Sequence, residues 1–308
     1  MKKKIDVSIV VVSWNTKEIL YNCLKSIKKY TKGISYEIVV VDNNSLDGTC
    51  EMIKKEFKEV ILIESNENLG FAKGNNLAIN VIDGEYILLL NPDTLLTYDV
   101  LTSLYNYARI NKKIGILSPR LLNEDGTFQS SYSAFPSIKE LVRYNIVCVL
   151  KIPFVIFNKI DNIKRLKISS KEVDWVRGAA MLMSCELFKD INGFDERFFM
   201  YNEDADLCYR LKKRGYKVFY KSDDTVVHLY NKSGKQVNLF RERNVHMALA
   251  LFFKIHNGVV YGKIYVILEA LFSVINVILF TPLLFNKRIK SIFMENILKL
   301  KIIFGNVR

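Results

Sequence analysis

No glycine-rich phosphate loop follows the first apolar strand of this 308-residue chain. The turn there reads Ser13-Trp14-Asn15-Thr16, so the G-x-G-x-x-G fingerprint is missing, and no Walker loop occurs. These absences exclude the usual dinucleotide-dependent enzymes and the P-loop NTPases. They also count against a nucleotidyltransferase that would make a sugar nucleotide. Zinc-finger spacing, an RNP-like motif and an Arg-rich arm are lacking too, so nucleic acid is not an expected partner. The five cysteines, Cys23, Cys50, Cys148, Cys185 and Cys208, are scattered and odd in number, with no CxxC pair. Reduced thiols in a cytosolic protein are the simplest account. The N-terminal MKKKIDVSIVVVSWN has too short an apolar run (Val7–Val12) and no small-residue cleavage site, so it reads as a strand and not a signal peptide.

What the chain has in abundance is positive charge and apolar surface. Net charge is +13, and half the residues are hydrophobic. That balance suits anionic partners such as phosphorylated ligands or an acidic membrane surface.

Val7–Ser13 is a continuous β-branched run, the pattern of a parallel strand buried on both faces. A helix is expected from Thr16 to Tyr30, with Ile19, Leu20, Cys23, Leu24 and Ile27 on one stripe. Further strands are expected at Glu37–Asp42, Val60–Ser65 and Tyr86–Asn91. Helices are expected between them, ending near Phe57 and Ile82. This alternation predicts a mostly parallel α/β sheet. Ligands in such sheets bind beyond the carboxyl ends of the strands. Polar side chains collect there: Ser13 and Asn15, Asp42 and Asn44, Asn66 and Asn68, then Asn91 and Asp93. Asp42 suits a uracil or thymine ring N–H, or a ribose. Gly70 and Gly74 allow backbone to approach a ligand closely, and Lys73 suits a phosphate. Asp93 suits a divalent metal bridging a diphosphate.

The stretch Asn192–Arg214, NGFDERFFMYNEDADLCYRLKKR, joins an aromatic run to three carboxylates, Glu203, Asp204 and Asp206. Leu207 and Leu211 lie on one helical face, basic residues fill the last turn, and Gly215 stops the helix. Asn202 is the expected N-cap. Acids in a first helical turn commonly do no more than complement the dipole. Behind an apolar wall, however, burial raises a carboxylate pKa and makes it a usable base.

The blocks VSIVVVSWN, EIVVVDNNSLDGT, NLGFAKGNN, YILLLNPDT, RGAAMLMSCELFKDINGFDERFFMYNEDADLCYRLKKRGYKV and VVHLYNKS together resemble the family 2 glycosyltransferases of the GT-A fold, within them the rhamnosyltransferase-like group. The resemblance spans about Val7 to Ser233. It implies an inverting transferase using a nucleotide-diphosphate sugar and Mg2+ or Mn2+. Carried over by position, Asp42 contacts the base, Asp93 is the metal-binding acid of a degenerate Asp-x-Asp whose first acid is Asn91, and Asp204 is the general base. His228 is a second metal ligand or a diphosphate contact. Ser13, Asn15, Asn44, Asn68, Gly70, Lys73 and Asn75 complete the expected donor site. Trp175, Glu203 and Asp206 are expected on the acceptor side. His246 and His256 match nothing comparable and are assigned to structure.

The catalytic domain is expected over 1–236, divided into a nucleotide-sugar half, 1–111, and an acceptor half, 112–236. An apolar, basic insertion at 137–168 is read as an interfacial element or flap near the acceptor. Residues 237–308 are expected to be helical and membrane-associated. Tyr261–Phe285 is almost wholly apolar but is interrupted by Glu269 and Asn276. The cationic helix after it suits a headgroup boundary, which places the protein on the cytoplasmic face of the plasma membrane, peripheral or monotopic. A true bilayer span at 261–285 and a soluble homodimer interface are the alternatives. The expected reaction transfers a sugar, L-rhamnose from its dTDP form first and a UDP-hexose second, to a lipid-linked saccharide in cell-surface polysaccharide assembly. A catalytically silent nucleotide-sugar-binding membrane protein is the reading from another class.

Overall fold

Nine strands build one sheet, and an apolar core lies against each of its faces. The structure is a computed structural model and describes residues 4–149, 169–229, 238–281 and 287–304. These fall into two compact units. One comprises residues 4–135, 169–199 and 203–229; the other comprises 136–149, 200–202, 238–281 and 287–304.

The first unit carries the sheet. Its strands are β1 (Ile5–Ser13), β2 (Tyr36–Asp42), β3 (Ile61–Glu64), β4 (Gly84–Leu90), β5 (Thr94–Leu95), β6 (Ile114–Leu122), β7 (Tyr132–Ser133), β8 (Lys171–Val173), β9 (Trp175–Val176), β10 (Ala180–Ser184) and β11 (Lys217–His228). The spatial order is β3-β2-β1-β4-β10-β6-β11-β5, with β8 on β11 and a separate β7–β9 pair. β1, β2, β3 and β4 are parallel neighbours, as the sequence predicts. β10 runs antiparallel between β4 and β6.

Alternate residues of β1 serve two cores. Val7, Ile9 and Val11 pack into one, and Val10 and Val12 into the other. That explains why the run has no polar alternation. The flanking helices are α1 (Lys17–Tyr30), α2 (Thr49–Glu56), α3 (Gly70–Leu77) and α4 (Val100–Ile110). The short α6 (Cys185–Asp190) and α7 (Glu203–Lys213) follow later in the chain; α5 belongs to the second unit.

Several local expectations change. The third helix stops at Leu77 and continues as a 3-10 turn, Ala78–Asn80. β11 is one long strand with an irregularity between Lys221 and Thr225. Asn202 has φ 60°, and the preceding Tyr201 has φ 72°. Asn202 therefore lacks the extended geometry of an N-cap, and the Ala205 amide is met by the Asp204 carboxylate (2.8 Å).

The second unit is helical: α5 (Ile138–Val149), α8 (Asn238–Asn257), α9 (Val259–Phe280) and α10 (Lys287–Phe304). Helix α5 falls in the expected insertion, yet it groups with these C-terminal helices and not with the sheet. Asn276 of α9 donates to Asn145 of α5 (3.1 Å) and to Asn296 of α10 (3.2 Å). His246 of α8 pairs with Glu269 of α9 (3.0 Å). The remainder of the insertion, 150–168, and Asn231, Lys232 and Ser233 lie outside the described residues.

Helix α9 is inverted relative to a soluble helix. Its buried stripe includes Tyr265, Glu269, Ser273 and Asn276, while Ile264, Ile267, Leu271, Val274 and Ile278 are exposed. It alone among the described residues is long and apolar enough to cross a membrane, by length and composition.

Candidate active site

The carboxyl ends of β1 and β2 meet α3 in the first unit. Asp42 ends β2 and is buried; its Oδ2 accepts from the Ser45 amide (2.8 Å). Its Oδ1 has no hydrogen-bond partner. Asn43 and Asn75 are equally buried, and each also leaves its side-chain oxygen unmatched. Their amide nitrogens are committed, Asn43 Nδ2 to Gly70 O (3.0 Å) and Asn75 Nδ2 to Phe71 O (2.8 Å). Buried acceptors without donors cost free energy unless a ligand or water supplies the hydrogens. The protein itself leaves these three buried acceptors unmatched at the strand ends.

Asn43, not Asn44, takes the inward position. Asn44 is exposed at φ 61°. Asn15 and Ser13 act on the loops themselves. Asn15 Oδ1 accepts from the Leu46 amide (2.8 Å), and Ser13 Oγ is 2.8 Å from Thr16 Oγ1. Asn68 accepts from the Gly70 amide (3.0 Å), which opens α3, and Lys73 is exposed on that helix. Cys50 on α2 lies beside Asp42 and Glu64. Burial and those two charges push its thiol up to about 12, so it stays protonated and is not a nucleophile.

A second cluster lies where β4 ends. Asp93 is buried, and its Oδ1 is 3.1 Å from His228 Nε2 at the end of β11. Asn91 Nδ2 is 3.4 Å from the same nitrogen. His228 Nδ1 is 2.5 Å from Gln129 Oε1. Among the described residues no group of three or more His, Cys, Asp or Glu is placed to hold a metal. The Asp93–His228 pair nonetheless fits a divalent cation as a two-ligand seat. Adjacent ligands of an octahedral ion at about 2.1 Å are roughly 3.0 Å apart, and Mg2+ typically takes one or two protein ligands plus substrate phosphates.

The Glu-Asp helix closes the site. Asp204 Oδ2 accepts from the Gly178 amide (2.9 Å), and Oδ1 accepts from Ala205. A Cβ at position 178 would stand 3.6 Å from Asp204 Oδ2 and from Phe71 Cε1, at ordinary van der Waals contact, which puts Asp204 and Phe71 on either side of this backbone. Burial raises the Asp204 pKa, opposed by the Gly178 and Ala205 amides and by the Arg177 charge. Glu203 is raised well above the usual carboxylate range by burial and by the Asp204 charge, and its Oε2 has no hydrogen-bond partner.

One short backbone path joins the two clusters. Gly178 holds Asp204, Ala179 O accepts from the Asn91 amide (3.0 Å), and Ala180 pairs with Leu90 in the sheet. Arg177 is anchored by Ser130 O (2.6 Å) and Ser131 O (3.0 Å). Neither Arg177 nor Gln129 stands among the site residues to which the sequence points.

One acceptor-side expectation changes. Asp206 is fully buried and engages Arg210 Nε (2.8 Å). Arg210 in turn donates to Ile191 O (2.9 Å) and Gly193 O (2.8 Å). Asp206 thus holds the aromatic loop in place and does not face an acceptor. Trp175 is half-buried, with its Nε1 donating to Ala134 O (2.8 Å).

The chain is 28% identical over 234 residues to the N-acetylglucosaminyl-diphospho-decaprenol L-rhamnosyltransferase of Mycobacterium tuberculosis, covering 71% of this chain and 75% of that one. It is 28% identical over 233 residues to the rhamnosyltransferase WbbL of Escherichia coli, covering 72% and 83%. Among solved structures, the mannosyltransferase PcManGT from Pyrobaculum calidifontis, in complex with GDP-Man and Mn2+, superposes with TM-score 0.59. The identity is 15%, over 99% of this chain and 88% of that one. GalNAc-T7 with UDP, GalNAc and Mn2+ matches at TM-score 0.55 and 16% identity, over 75% of this chain and 45% of that one. Both establish the GT-A fold for the sheet described above. The model for the N-terminal domain of galactosyltransferase matches residues 165–232. The model for glycosyl transferase family 2 matches residues 8–191, more than half of the chain, and the chain belongs to that family.

Proposed function

We propose that the protein is an inverting transferase that moves a sugar from a nucleotide-diphosphate donor to a hydroxyl of a lipid-linked saccharide. The observation that carries this reading is the placement of Asp204. It is a half-buried carboxylate whose pKa is raised by desolvation, held by two backbone amides and joined through residues 178–180 to the Asn91–Asp93 end of β4. Asp42, Asn43 and Asn75 receive the nucleoside. Asp93 and His228 would hold Mg2+ or Mn2+, which when bound supplies charge neutralisation for the diphosphate leaving group. Asp204 takes the proton of the acceptor hydroxyl. The freed oxygen attacks the anomeric carbon from the face opposite the diphosphate, and the bond from carbon to diphosphate oxygen breaks with its electrons leaving on the diphosphate. A base of this kind contributes about 10²–10⁴-fold. Gly178 and Arg177 keep Asp204 ionised and aimed.

The donor we assign first is dTDP-rhamnose, because two relatives that span over 70% of the chain are named as rhamnosyltransferases. The lipid-linked acceptor follows from the diphospho-decaprenol in the name of one of them. The inverted α9 supports a place of work on the membrane. Apolar side chains on its outer face and polar ones on its inner face suit immersion in the acyl boundary. Glu269 and Asn276 are occupied inside the helical unit, so their polarity does not oppose that immersion.

The test is nucleoside-diphosphate release by the detergent-purified protein over dTDP-, UDP- and GDP-sugars, with Mn2+ or EDTA, and lipid extract as acceptor. Metal-dependent release from dTDP-rhamnose is expected. Release from a UDP-hexose alone would replace the donor. Absence of both release and donor binding would overturn the reading of Asp42 and Asp93.

A further inference from the structure

His228 is held on both sides, and the hydrogen-bond chain behind it decides which of its nitrogens carries the proton. Gln129 Nε2 donates to the main-chain oxygen of His228 (3.0 Å) and to Asn123 Oδ1 (2.9 Å). A peptide carbonyl can only accept, so the end of the Gln129 amide that faces it is the NH2. The same logic orients Asn123. Its Nδ2 meets Thr127 Oγ1 (2.8 Å) and lies toward Phe128 O (3.5 Å), which leaves its oxygen for Gln129. Gln129 Oε1 is then the group presented to His228 Nδ1, at 2.5 Å. An amide oxygen is an acceptor, so Nδ1 carries the proton. In the neutral ring Nε2 must then present its lone pair.

That lone pair points to the Asp93 side of the site, 3.1 Å from a carboxylate oxygen. Asn91 Nδ2, 3.4 Å away, is a donor that suits it. The lone pair and the carboxylate oxygen are both acceptors, and their contact calls for positive charge that the neutral Asn91 amide, at 3.4 Å, does not supply. We propose that Gln129 is the positioning residue that fixes the His228 tautomer, and thereby makes Asp93 and His228 a seat for a divalent cation. The proposal rests on the metal part of the functional reading above. It adds the residue that prepares the seat before any donor arrives. The turn that carries Gln129 is itself fixed: Asp125 Oδ1 accepts from the Thr127 amide (2.9 Å), and the Gln129 amide donates to Leu121 O (3.0 Å). Gln129 touches no reacting atom. It acts through the ring, as outer partners of metal-bound histidines do, and loss of such a partner costs about 10–100-fold in metal affinity.

The experiment uses the full-length protein labelled with 15N-histidine. Its three histidines give a tractable long-range 1H–15N spectrum, and His228→Ala identifies the His228 signals. Spectra are read at a pH where the ring is neutral, and binding of Mn2+ alone is followed by electron paramagnetic resonance. The expected result is Nδ1–H for His228 in the wild type and a mixture or Nε2–H in Gln129→Leu. Mn2+ binding should weaken about 10–100-fold in Gln129→Leu. Gln129→Glu, which keeps an acceptor at the ring, should retain the Nδ1–H form. It covers the case in which the leucine variant does not fold. An Nε2–H tautomer in the wild type overturns the inference whatever Mn2+ does. So does unchanged Mn2+ affinity in Gln129→Leu while Asp93→Asn and His228→Ala lose it. If Asp93→Asn and His228→Ala also bind Mn2+ as the wild type does, the metal reading itself fails, and the inference falls with it.

Discussion

Replacing Gly70 with alanine tests whether the donor-binding half and the catalytic loop are one mechanical piece. Gly70 opens α3 at φ 76°, and the next amide, Phe71 N, donates to Phe199 O (2.9 Å), four residues before the Glu-Asp pair. A Cβ at position 70 would overlap the Phe199 carbonyl oxygen and stand 2.8 Å from Phe199 Cδ2. Three costs add. The left-handed backbone costs an alanine about 1 kcal/mol, the lost hydrogen bond about 1 kcal/mol, and the forced displacement about 1–3 kcal/mol. Gly126→Ala is the control. It has φ 77° with nothing within 4 Å of its Cβ, so only the backbone cost of about 1 kcal/mol applies. Hydrogen exchange of the peptide carrying the Phe71 amide is the assay. A local loss of about 3 kcal/mol predicts more than hundredfold faster exchange there in Gly70→Ala. Gly126→Ala should leave that peptide unchanged. Equal protection of Phe71 in both variants would refute the coupling.

Three further outcomes follow from the same geometry. Glu203→Gln should stabilise the protein at pH 8. Burial holds the Glu203 pKa above its unfolded value, so its stability contribution is full below about pH 4 and lost as pH rises through the raised value; thermal melts at both pH values should show the gain vanish in acid. Asp206→Ala should cost about 2–3 kcal/mol, because it strands the Arg210 guanidinium that holds the Ile191 and Gly193 carbonyls. Melting temperature reads that loss, and an unchanged acceptor KM separates it from a role in acceptor binding. Ile267→Asp with Ile278→Asp should weaken co-sedimentation with phosphatidylglycerol vesicles at least tenfold (about 1.5–3 kcal/mol per apolar side chain), with donor affinity in detergent unchanged.

Much of the sheet was legible because its signals are local. The doubly buried β1 and β4 announce themselves as unbroken apolar runs, and polar residues mark where each strand ends. The Glu-Asp helix was equally plain from its leucine spacing, its basic last turn and Gly215. What failed to show was set by distant partners. Asp206 reads like its two neighbours in sequence, and only Arg210 reaching to Ile191 and Gly193 reveals a structural carboxylate. Asn43 and Asn44 are indistinguishable as letters, and the left-handed turn at Asn44 sends one inward and the other to solvent. Gln129 lies 99 residues from His228, so no spacing rule links them. The polar residues of α9 looked like flaws in an apolar helix until Asn145, Asn296 and His246 supplied their partners.

The central claim is that Asp204 is the base of a sugar transfer. Its most direct test is acceptor-dependent nucleoside-diphosphate release by wild type and Asp204→Asn, both saturated with the donor that the panel identifies. The account predicts about 10²–10⁴-fold slower release in the variant, with donor affinity retained. In the wild type the rate should fall on the acid side at a pH above the ordinary carboxylate range, since the base works ionised and burial raises its pKa. Near-normal turnover by Asp204→Asn would contradict it.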